Sequence, residues 1–275
     1  MAEAARRPVF SVSDHTGMTA EAFAHSVVSR FDSVQAVYFT RPFVDTPAKI
    51  AGVVAEIDEM AQREERPIVF STLSDPDLQA VLARCDGLVI GMFGQSVQDV
   101  SAELGMAPSR RVGRYHGIAD AASYELRLDA LDFTLMTDDG LGIDHYGRAD
   151  IILVGVSRVG KTPTCLYLSM HYGIRAANYP LDSADHSGES LPATLVPHRA
   201  RLHGLTIEPR RLHAIRTQRR PDSEYATLEV CKREVARAER ILRAERIPLI
   251  DTTSRSVEEI TATLIEATRL VRRVT

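Results

Sequence analysis

The sequence predicts an α/β protein with two lobes, each built around a mainly parallel sheet. Two observations lead to this fold class. Short apolar runs alternate with amphipathic segments in the first part of the chain, which is the order of a strand–helix–strand layer. The alternation starts again after a polar, glycine-punctuated stretch at residues 109–150. We therefore expect an N-terminal α/β lobe at residues 1–148 and a C-terminal lobe at residues 149–275.

Strands and helices are predicted to alternate through the N-terminal lobe. The apolar runs that predict strands lie at residues 9–13, 36–40, 68–71 and 88–90. Helices are predicted at residues 19–31, 47–63 and 76–84. In the first helix, Phe23, Val27, Val28 and Phe31 share one face, which predicts that this face packs on the sheet.

The C-terminal lobe repeats this order after one helix at about residues 119–135. Strands are predicted at residues 151–154, 175–179 and 247–250. Helices are predicted at residues 163–172 and 225–246, and a capping box of Ser256 and Glu259 predicts the start of the last helix. The strand–loop–helix unit that opens this lobe predicts the fold of a P-loop kinase.

Composition excludes several classes of function. The net charge of −4 gives no general attraction for nucleic acid or for an anionic membrane. No stretch approaches the roughly 20 apolar residues of a membrane helix, and the N-terminus lacks a signal-peptide core. The three cysteines have no metal-ligand spacing, which is typical of reduced thiols in the cytoplasm. We expect a cytoplasmic protein.

A glycine loop follows the apolar strand at residues 151–154. It fits the phosphate-loop pattern G-x-x-x-x-G-K-[ST] through Gly155, Val156, Ser157, Arg158, Val159, Gly160, Lys161 and Thr162. Glycines let main-chain N–H groups converge on an anion, where a side chain would block the phosphate. Lys161 would reach the terminal phosphate, and the Thr162 hydroxyl would ligate Mg²⁺. We interpret the loop as a nucleotide phosphate site; the alternative is an ordinary strand–helix turn.

A second candidate loop joins the first strand to the first helix. Ser13, Asp14, Thr16 and Gly17 supply hydroxyls, a carboxylate and a glycine at a helix start. These groups could hold an anion or position a hydroxyl substrate. The alternative is a polar turn in which Thr16 or Thr19 caps the helix.

Three acidic residues of the C-terminal part are further candidates. Asp138 and Asp139 could supply a metal ligand or a general base, but Asp-Asp-Gly is also common turn chemistry. Asp251 follows an apolar strand, where a P-loop protein often places a residue that organises Mg²⁺; the alternative is a helix-flanking Asp. The arginine-rich segment 201–220 could be a lid that neutralises phosphate charge, or a charged helix face in water.

Taken together, these stretches resemble one family closely. The segments VFSVSDHTGMTAEAFAHSVVSRF, RPFVDT, YHGI, ALDFTLMTDDG, ILVGVSRVGKTPTCLYLSMHYGIRAANYPL and IPLIDTTSRSVEEI are similar to those of the bifunctional kinase–pyrophosphorylases that regulate phosphoenolpyruvate synthetase and pyruvate, phosphate dikinase. The similarity covers nearly the whole chain in order. Gly160 and the AANYP run look like the synthetase branch. Val159 departs from the usual Cys or Thr, and Thr137 from the His of some relatives.

The resemblance implies two activities. One transfers the β-phosphate of ADP to a threonine near the catalytic phosphohistidine of phosphoenolpyruvate synthetase; the other removes it with inorganic phosphate and releases pyrophosphate. It implies that 155–162 is the ADP loop, that Asp14 faces the target threonine in a pocket shaped by Ser13, Thr16 and Gly17, and that the protein is a homodimer. Asp138 and Asp139 are second choices for the acid–base role. The N-terminal lobe would help to form the cleft that admits the target.

Two other functions share the loop. A small-molecule kinase of the adenylate- or shikimate-kinase type would prefer ATP and would phosphorylate a metabolite unaided. A non-catalytic nucleotide sensor would bind its target when loaded, without transferring phosphate. Residue spacing does not exclude the nucleotide sensor; only the family resemblance argues against it.

Overall fold

The computed structural model describes residues 6–63, 65–107, 121–181, 190–221, 223–268 and 270–274. The chain divides into two compact units, Met1–Gly117 and Ile118–Thr275. Within the described residues, each unit has one four-stranded sheet, and every strand pairing there is parallel. The α/β fold class with two lobes is thus confirmed.

The first unit alternates strands and helices throughout its described residues. Its elements are β1 (Arg6–Val12), α1 (Met18–Val28), β2 (Gln35–Arg41), α2 (Pro47–Arg63), β3 (Ile68–Ser71), α3 (Pro76–Leu82), β4 (Leu88–Gly91) and α4 (Gly94–Leu104). The sheet order is β2-β1-β3-β4. In the shared register Phe10 of β1 lies between Phe39 and Val69 of its two neighbours.

The second unit begins with a helix and then repeats the same strand order. Its elements are α5 (Ala121–Met136), β5 (Ile151–Gly155), α6 (Lys161–Tyr172), β6 (Ala176–Pro180), β7 (Leu202–Thr206), α7 (Pro209–Arg219), α8 (Leu228–Ala244), β8 (Leu249–Asp251) and α9 (Val257–Thr268), with short 3-10 turns at Asp138–Gly140, Ile143–Arg148, Val196–Arg201 and Glu224–Ala226. The sheet order is β6-β5-β7-β8.

The apolar core of the second unit explains why its first strand is so apolar. Ile151, Ile152, Leu153 and Val154 all have no exposed surface, because β5 is an interior strand. A parallel strand that is covered on both faces loses the alternation of apolar and polar residues and becomes a continuous apolar run.

None of the helices within the described residues combines the length and apolarity that a membrane crossing requires.

Contacts divide the chain earlier than the boundary that the sequence predicts at residue 148. Helix α5 and the turns that follow it pack with the second sheet. Thr134 on this helix donates its hydroxyl to the carbonyl of Ala176 in β6 at 2.9 Å. The YHGI segment of the family pattern, at 115–118, lies outside the described residues.

The structure corrects the predicted inner face of α1. Phe23 and Phe31 are exposed by 42% and 60%, and the buried residues are Ala20, Ala24 and Val28. The helical period was predicted, and Val28 is buried as expected, but Ala20 and Ala24 complete the buried stripe. The ring of Phe23 lies at the edge of this stripe and packs edge-on against Phe70 of β3, with 5.8 Å between the ring centroids. Phe31 lies beyond the end of the helix. The spacing alone does not show which of two neighbouring stripes faces the core.

The sequence also missed three elements. Helix α4 has no buried residue, so it lacks the apolar stripe that marks a core-facing helix. Strand β7 and helix α7 occupy the arginine-rich segment 201–220. Because β7 is an interior strand between β5 and β8, residues 202–206 belong to the sheet and not to a surface lid. On α7, Arg210, Arg211 and Arg219 are exposed, as the alternative of a charged helix face predicts, and Arg216 is buried.

Candidate phosphate-binding site

The glycine loop lies at the point where the second sheet changes its direction of winding. β5 pairs with β6 on one side and with β7 on the other, so the connections leave its carboxyl end in opposite directions. In open parallel sheets this switch point leaves a crevice in which ligands bind. The loop Gly155–Thr162 runs from the end of β5 into the first turn of α6, at that crevice.

The two glycines of the loop are required for different reasons. A Cβ at Gly155 would lie 2.4 Å from the carbonyl oxygen of Leu205, so this glycine is required by the close approach of β7. The sequence had suggested a different reason for a glycine here, namely that a side chain would block the phosphate. Gly160 has open space around it but φ of 102°, a backbone conformation that favours glycine, and it is the N-cap of α6.

Lys161 holds its positive charge over the loop. Its side chain is only 4% exposed, and its Nζ donates to the carbonyls of Gly155 and Val156, at 3.0 Å each. The ammonium group therefore bridges the loop from one end to the other. The N-terminus of α6 adds a partial positive charge at the same place, which makes the crevice suitable for an anion.

Asp138 is the carboxylate that contacts the loop. The Thr162 hydroxyl donates to its Oδ1 at 2.8 Å, and the side-chain amide of Asn178 donates to the same oxygen. Asn178 has no exposed surface and also accepts the main-chain N–H of Asp139 at 3.1 Å. A buried amide that is hydrogen-bonded on both sides fixes the Asp138–Asp139 turn to the end of β6. An oxygen pair formed by a hydroxyl and a carboxylate is the ligand chemistry that Mg²⁺ prefers.

Close packing shapes the turn that carries Asp138. A Cβ at Gly142 would lie 2.7 Å from the carbonyl oxygen of Met136, and its φ of 56° also favours glycine. The buried Tyr146 donates its hydroxyl to the carbonyl of Asn178 at 2.8 Å. Burial raises the pKa of Tyr146 well above its ordinary value, so the phenol keeps the proton that it donates.

Asp251 has different surroundings. Its Oδ1 accepts the main-chain N–H and the hydroxyl of Thr253, at 2.8 and 2.5 Å, and the hydroxyl bond lowers the pKa of Asp251. Asp251 lines a surface cavity of about 400 Å³ with residues of α8 and the end of β7. The following residue, Thr252, donates its hydroxyl to the carbonyl of Val159 at 3.0 Å. Within the described residues, the carboxylate bonded to Thr162 is that of Asp138.

The second candidate loop lies at the switch point of the first sheet, because β1 pairs with both β2 and β3. The Oδ2 of Asp14 accepts the main-chain N–H and the hydroxyl of Ser74, at 2.8 and 2.5 Å. The Ser13 hydroxyl is buried and accepts the N–H of His15. Gly17 is the N-cap of α1, with φ of 79° and no side-chain cap, so neither Thr16 nor Thr19 caps this helix.

The described residues contain no group of three or more histidine, cysteine or acidic side chains that could hold a metal ion. The Thr162–Asp138 pair is a smaller donor set. Phosphate oxygens and water supply the remaining ligands of Mg²⁺ in many nucleotide sites.

A sequence profile described as kinase/pyrophosphorylase matches residues 9–265. The chain belongs to the kinase/pyrophosphorylase family. The match contains both candidate loops and all the acidic candidates, from Ser13 to Asp251. The resemblance to this family, which was predicted from the motifs, is thereby confirmed. A family of this description supports kinase or phosphotransferase activity.

Curated relatives match along their full length. A protein of Halorhodospira halophila is 48% identical over 270 residues, which is 98% of each chain. One of Alkalilimnicola ehrlichii is 46% identical, again over 98% of each chain. One of Marinobacter nauticus is 42% identical over 97% of this chain and 99% of its own. Each of the three carries the name "Putative phosphoenolpyruvate synthase regulatory protein".

Sequence reasoning missed one residue of the site in this member of the kinase/pyrophosphorylase family. Asn178 lies in the buried strand β6, within the run AANYP that resembles the family pattern. A polar amide in an otherwise apolar buried strand needs hydrogen-bond partners, and this was the available signal. Its partner, the Asp138 turn, lies about forty positions earlier in the chain, so the pairing could not be seen from local spacing.

Proposed function

We propose that this chain regulates phosphoenolpyruvate synthase by reversible phosphorylation of a threonine. The forward reaction uses ADP with Mg²⁺ and inactivates the target; the reverse reaction uses inorganic phosphate and activates it. The observation that carries the proposal is the loop of Lys161 and Thr162 with Asp138 bonded to the Thr162 hydroxyl. The family description and the names of the relatives support the reaction type and the target.

In the forward step, the hydroxyl oxygen of the target threonine attacks the β-phosphorus of ADP. The bond from that phosphorus to the bridging oxygen breaks, AMP leaves, and a carboxylate accepts the hydroxyl proton. Lys161 and the N–H groups of the loop stabilise the charge on the transferred phosphoryl group. Thr162 and Asp138 would hold Mg²⁺, which supplies further neutralisation of phosphate charge when bound.

In the reverse step, an oxygen of inorganic phosphate attacks the phosphorus of the phosphothreonine. The bond to the threonine oxygen breaks, pyrophosphate leaves, and the threonine oxygen regains a proton. One loop would bind either the terminal phosphate of ADP or inorganic phosphate. Competition between ADP and phosphate supports a shared site, and independent binding contradicts it.

Phosphorylation of the target inactivates it through charge. A phosphothreonine brings close to two negative charges into a site that must itself accept phosphoryl groups. Repulsion and bulk then exclude the normal reaction. Removal of the phosphate restores the uncharged hydroxyl and with it the activity.

Two carboxylates compete for the role of general base. Asp14 lies in the hydroxyl-rich loop of the first unit, with its orientation fixed by Ser74; Asp138 lies at the phosphate loop. We assign Asp14 as the general base for the target threonine and Asp138 as a ligand of Mg²⁺. Asp139 is a second choice for the general base. A general base contributes about 10²–10⁴-fold, so Asp14→Asn is expected to lower both rates by that factor while ADP affinity stays within about 3-fold. Loss of ADP affinity in this variant contradicts the assignment.

The decisive experiment is label transfer from ADP carrying ³²P at its β-position to phosphoenolpyruvate synthase, first loaded with its catalytic phosphohistidine. Label on a threonine, released as pyrophosphate when phosphate is added, supports both directions. Lys161→Ala is expected to abolish both, because one loop serves both. Turnover of ATP with a small alcohol or nucleotide instead identifies a metabolite kinase, and binding of the target without label identifies a nucleotide sensor.

We further propose that the protein is a cytoplasmic homodimer that engages neither nucleic acid nor membrane. The support is the family resemblance and the net charge of −4. Light scattering on the purified chain tests the dimer, since a monomer at micromolar concentration contradicts it.

A further inference from the structure

Helix α7 carries an arginine whose position behind the phosphate loop needs an explanation. Arg216 has no exposed surface, and its Nη2 lies 2.8 Å from the carboxylate of Glu234 on α8, which is also buried. Taking two charges out of water opposes the attraction between them, so a buried ion pair is a poor source of stability. The other contacts of the guanidinium group are therefore more informative about the role of Arg216 than its ion pair with Glu234.

Arg216 and Tyr225 both bind Ser157, the third residue of the phosphate loop. The Nη2 of Arg216 donates to the Ser157 carbonyl at 3.1 Å, and the Tyr225 hydroxyl donates to the Ser157 hydroxyl at 2.8 Å. Arg216 also donates to the Tyr225 carbonyl at 3.1 Å, and its guanidinium carbon lies 3.9 Å from the centroid of the Tyr225 ring. Arg216 and Tyr225 thus contact each other, and together they hydrogen-bond to both the main chain and the side chain of Ser157.

These contacts lie next to a loop residue with an uncommon backbone conformation. The next residue, Arg158, has φ of 72°, a left-handed backbone conformation that residues other than glycine rarely adopt. The carbonyl that Arg216 holds belongs to the peptide joining Ser157 to Arg158. Such a conformation persists only where its surroundings over-determine it, and these contacts supply that restraint.

We propose that Arg216 and Tyr225 are positioning residues that hold the Ser157–Arg158 peptide in the shape that binds a phosphate. They act through Ser157 and do not touch the ligand. A preformed loop does not have to be ordered when the phosphate arrives, so affinity is higher than in a loop that must order on binding. The inference rests on the proposed function in taking ADP and inorganic phosphate as ligands.

The test compares Tyr225→Phe with Tyr172→Phe. Tyr225→Phe keeps the ring against Arg216 and removes only the hydroxyl that reaches Ser157. Tyr172 lies in the same unit at the end of α6, with its ring 5.5 Å from the guanidinium carbon of Arg272, so it is a matched control. Calorimetric titration with ADP, and separately with inorganic phosphate, measures affinity; thermal unfolding of the unliganded protein measures stability.

We expect Tyr225→Phe to weaken binding of both ligands about 5-fold, the factor that corresponds to one hydrogen bond. Tyr172→Phe should bind and melt like wild type. Tyr225→Phe should remain folded and lose no more than about 2–4 °C in melting temperature, because the bond that it removes is also present without ligand. Ser157→Ala should weaken binding to the same extent. The double variant with Tyr225→Phe should be no weaker than either single one, because both remove the same bond. Unchanged affinity in Tyr225→Phe, or additive losses in the double variant, overturns the proposal.

A second variant removes the buried charges together. Arg216→Met with Glu234→Leu leaves no unpaired charge in the core and is expected to fold. It should bind ADP at least 10-fold more weakly than wild type, and wild-type affinity in this folded variant overturns the positioning role. Wild-type protein that binds neither ADP nor phosphate instead contradicts the proposed function, which separates the two failures.

Discussion

Gly155→Ala is expected to destabilise the second unit, chiefly through one close contact with the main chain of β7. The added Cβ would lie 2.4 Å from the carbonyl oxygen of Leu205, and real Cβ atoms essentially never approach a heavy atom more closely than 3.0 Å. The obstacle is main chain of the interior strand β7, so β5 and β7 must move apart. Overpacking of this kind costs about 1–3 kcal/mol. For a unit of this size, that cost lowers the melting temperature by roughly 3–10 °C.

Gly147→Ala is the matched control for this substitution. Nothing lies within 4 Å of a Cβ at Gly147, and its φ is not in the left-handed range. Alanine there should leave the melting temperature unchanged or raise it slightly, because alanine restricts the unfolded chain more than glycine does.

Thermal unfolding of the two variants beside wild type, followed by circular dichroism, gives the answer. A fall confined to Gly155→Ala supports the close approach of β5 and β7. If Gly155→Ala melts within about 1 °C of wild type, the contact is not as tight as the structure has it. The glycine would then be required for phosphate access, which titration with ADP would show as lost affinity in a stable protein.

Three further predictions concern stability and reactivity. Thr227→Ala should lower the free energy of unfolding by about 1 kcal/mol in a denaturant titration, because Thr227 caps α8; Thr227→Ser should retain most of it. Hydrogen bonding from Thr253 lowers the pKa of Asp251, so its contribution is present above the unfolded pKa of about 3.9 and is lost as pH falls through the folded pKa. The melting-temperature gap between wild type and Thr253→Ala should therefore narrow as the pH falls below about 4. A remainder should persist, because the Thr253 hydroxyl also accepts the main-chain N–H of Glu208 at 2.8 Å, a bond that does not titrate. A gap that does not change with pH refutes the assignment. Burial and Asp138 raise the pKa of Cys165, so iodoacetamide at pH 8 should modify it only after unfolding, as read by mass spectrometry; rapid modification of the native protein refutes this.

Local sequence signals were sufficient for the elements that bury an apolar stripe. The apolar run 151–154, which was predicted as a strand, lies within β5, and the capping box of Ser256 and Glu259 is formed as predicted. Along α8, Cys231, Val235 and Leu242 are buried at the predicted spacing. In each case the residues that identify the element are neighbours in the chain, or are one helical turn apart.

Elements that depend on distant partners could not be predicted in this way. β7 reads LHGLT, which is too short and too interrupted to identify a strand, and it is buried because β5 and β8 flank it. The arginine-rich segment suggested a solvent-exposed lid. Arg216 is nevertheless buried, because Glu234 pairs with its charge and the carbonyls of Tyr225 and Ser157 accept its hydrogen bonds. Charge in a sequence predicts exposure only where no partner is available, and these partners come from three separate parts of the chain.

The two sheets suggest why the two candidate loops differ in chemistry. Each sheet has its first strand between the second and the third, so each has a switch point at the carboxyl end of that strand. In the second unit the loop there contains glycines and the buried Lys161, which suit a phosphate. In the first unit the same topological position contains Asp14 and hydroxyl groups, and a carboxylate can accept a proton from an alcohol. A phosphoryl transfer needs both kinds of group, one for the donor and one for the acceptor, and this difference in charge supports our proposal that Lys161 binds the donor and that Asp14 acts on the threonine.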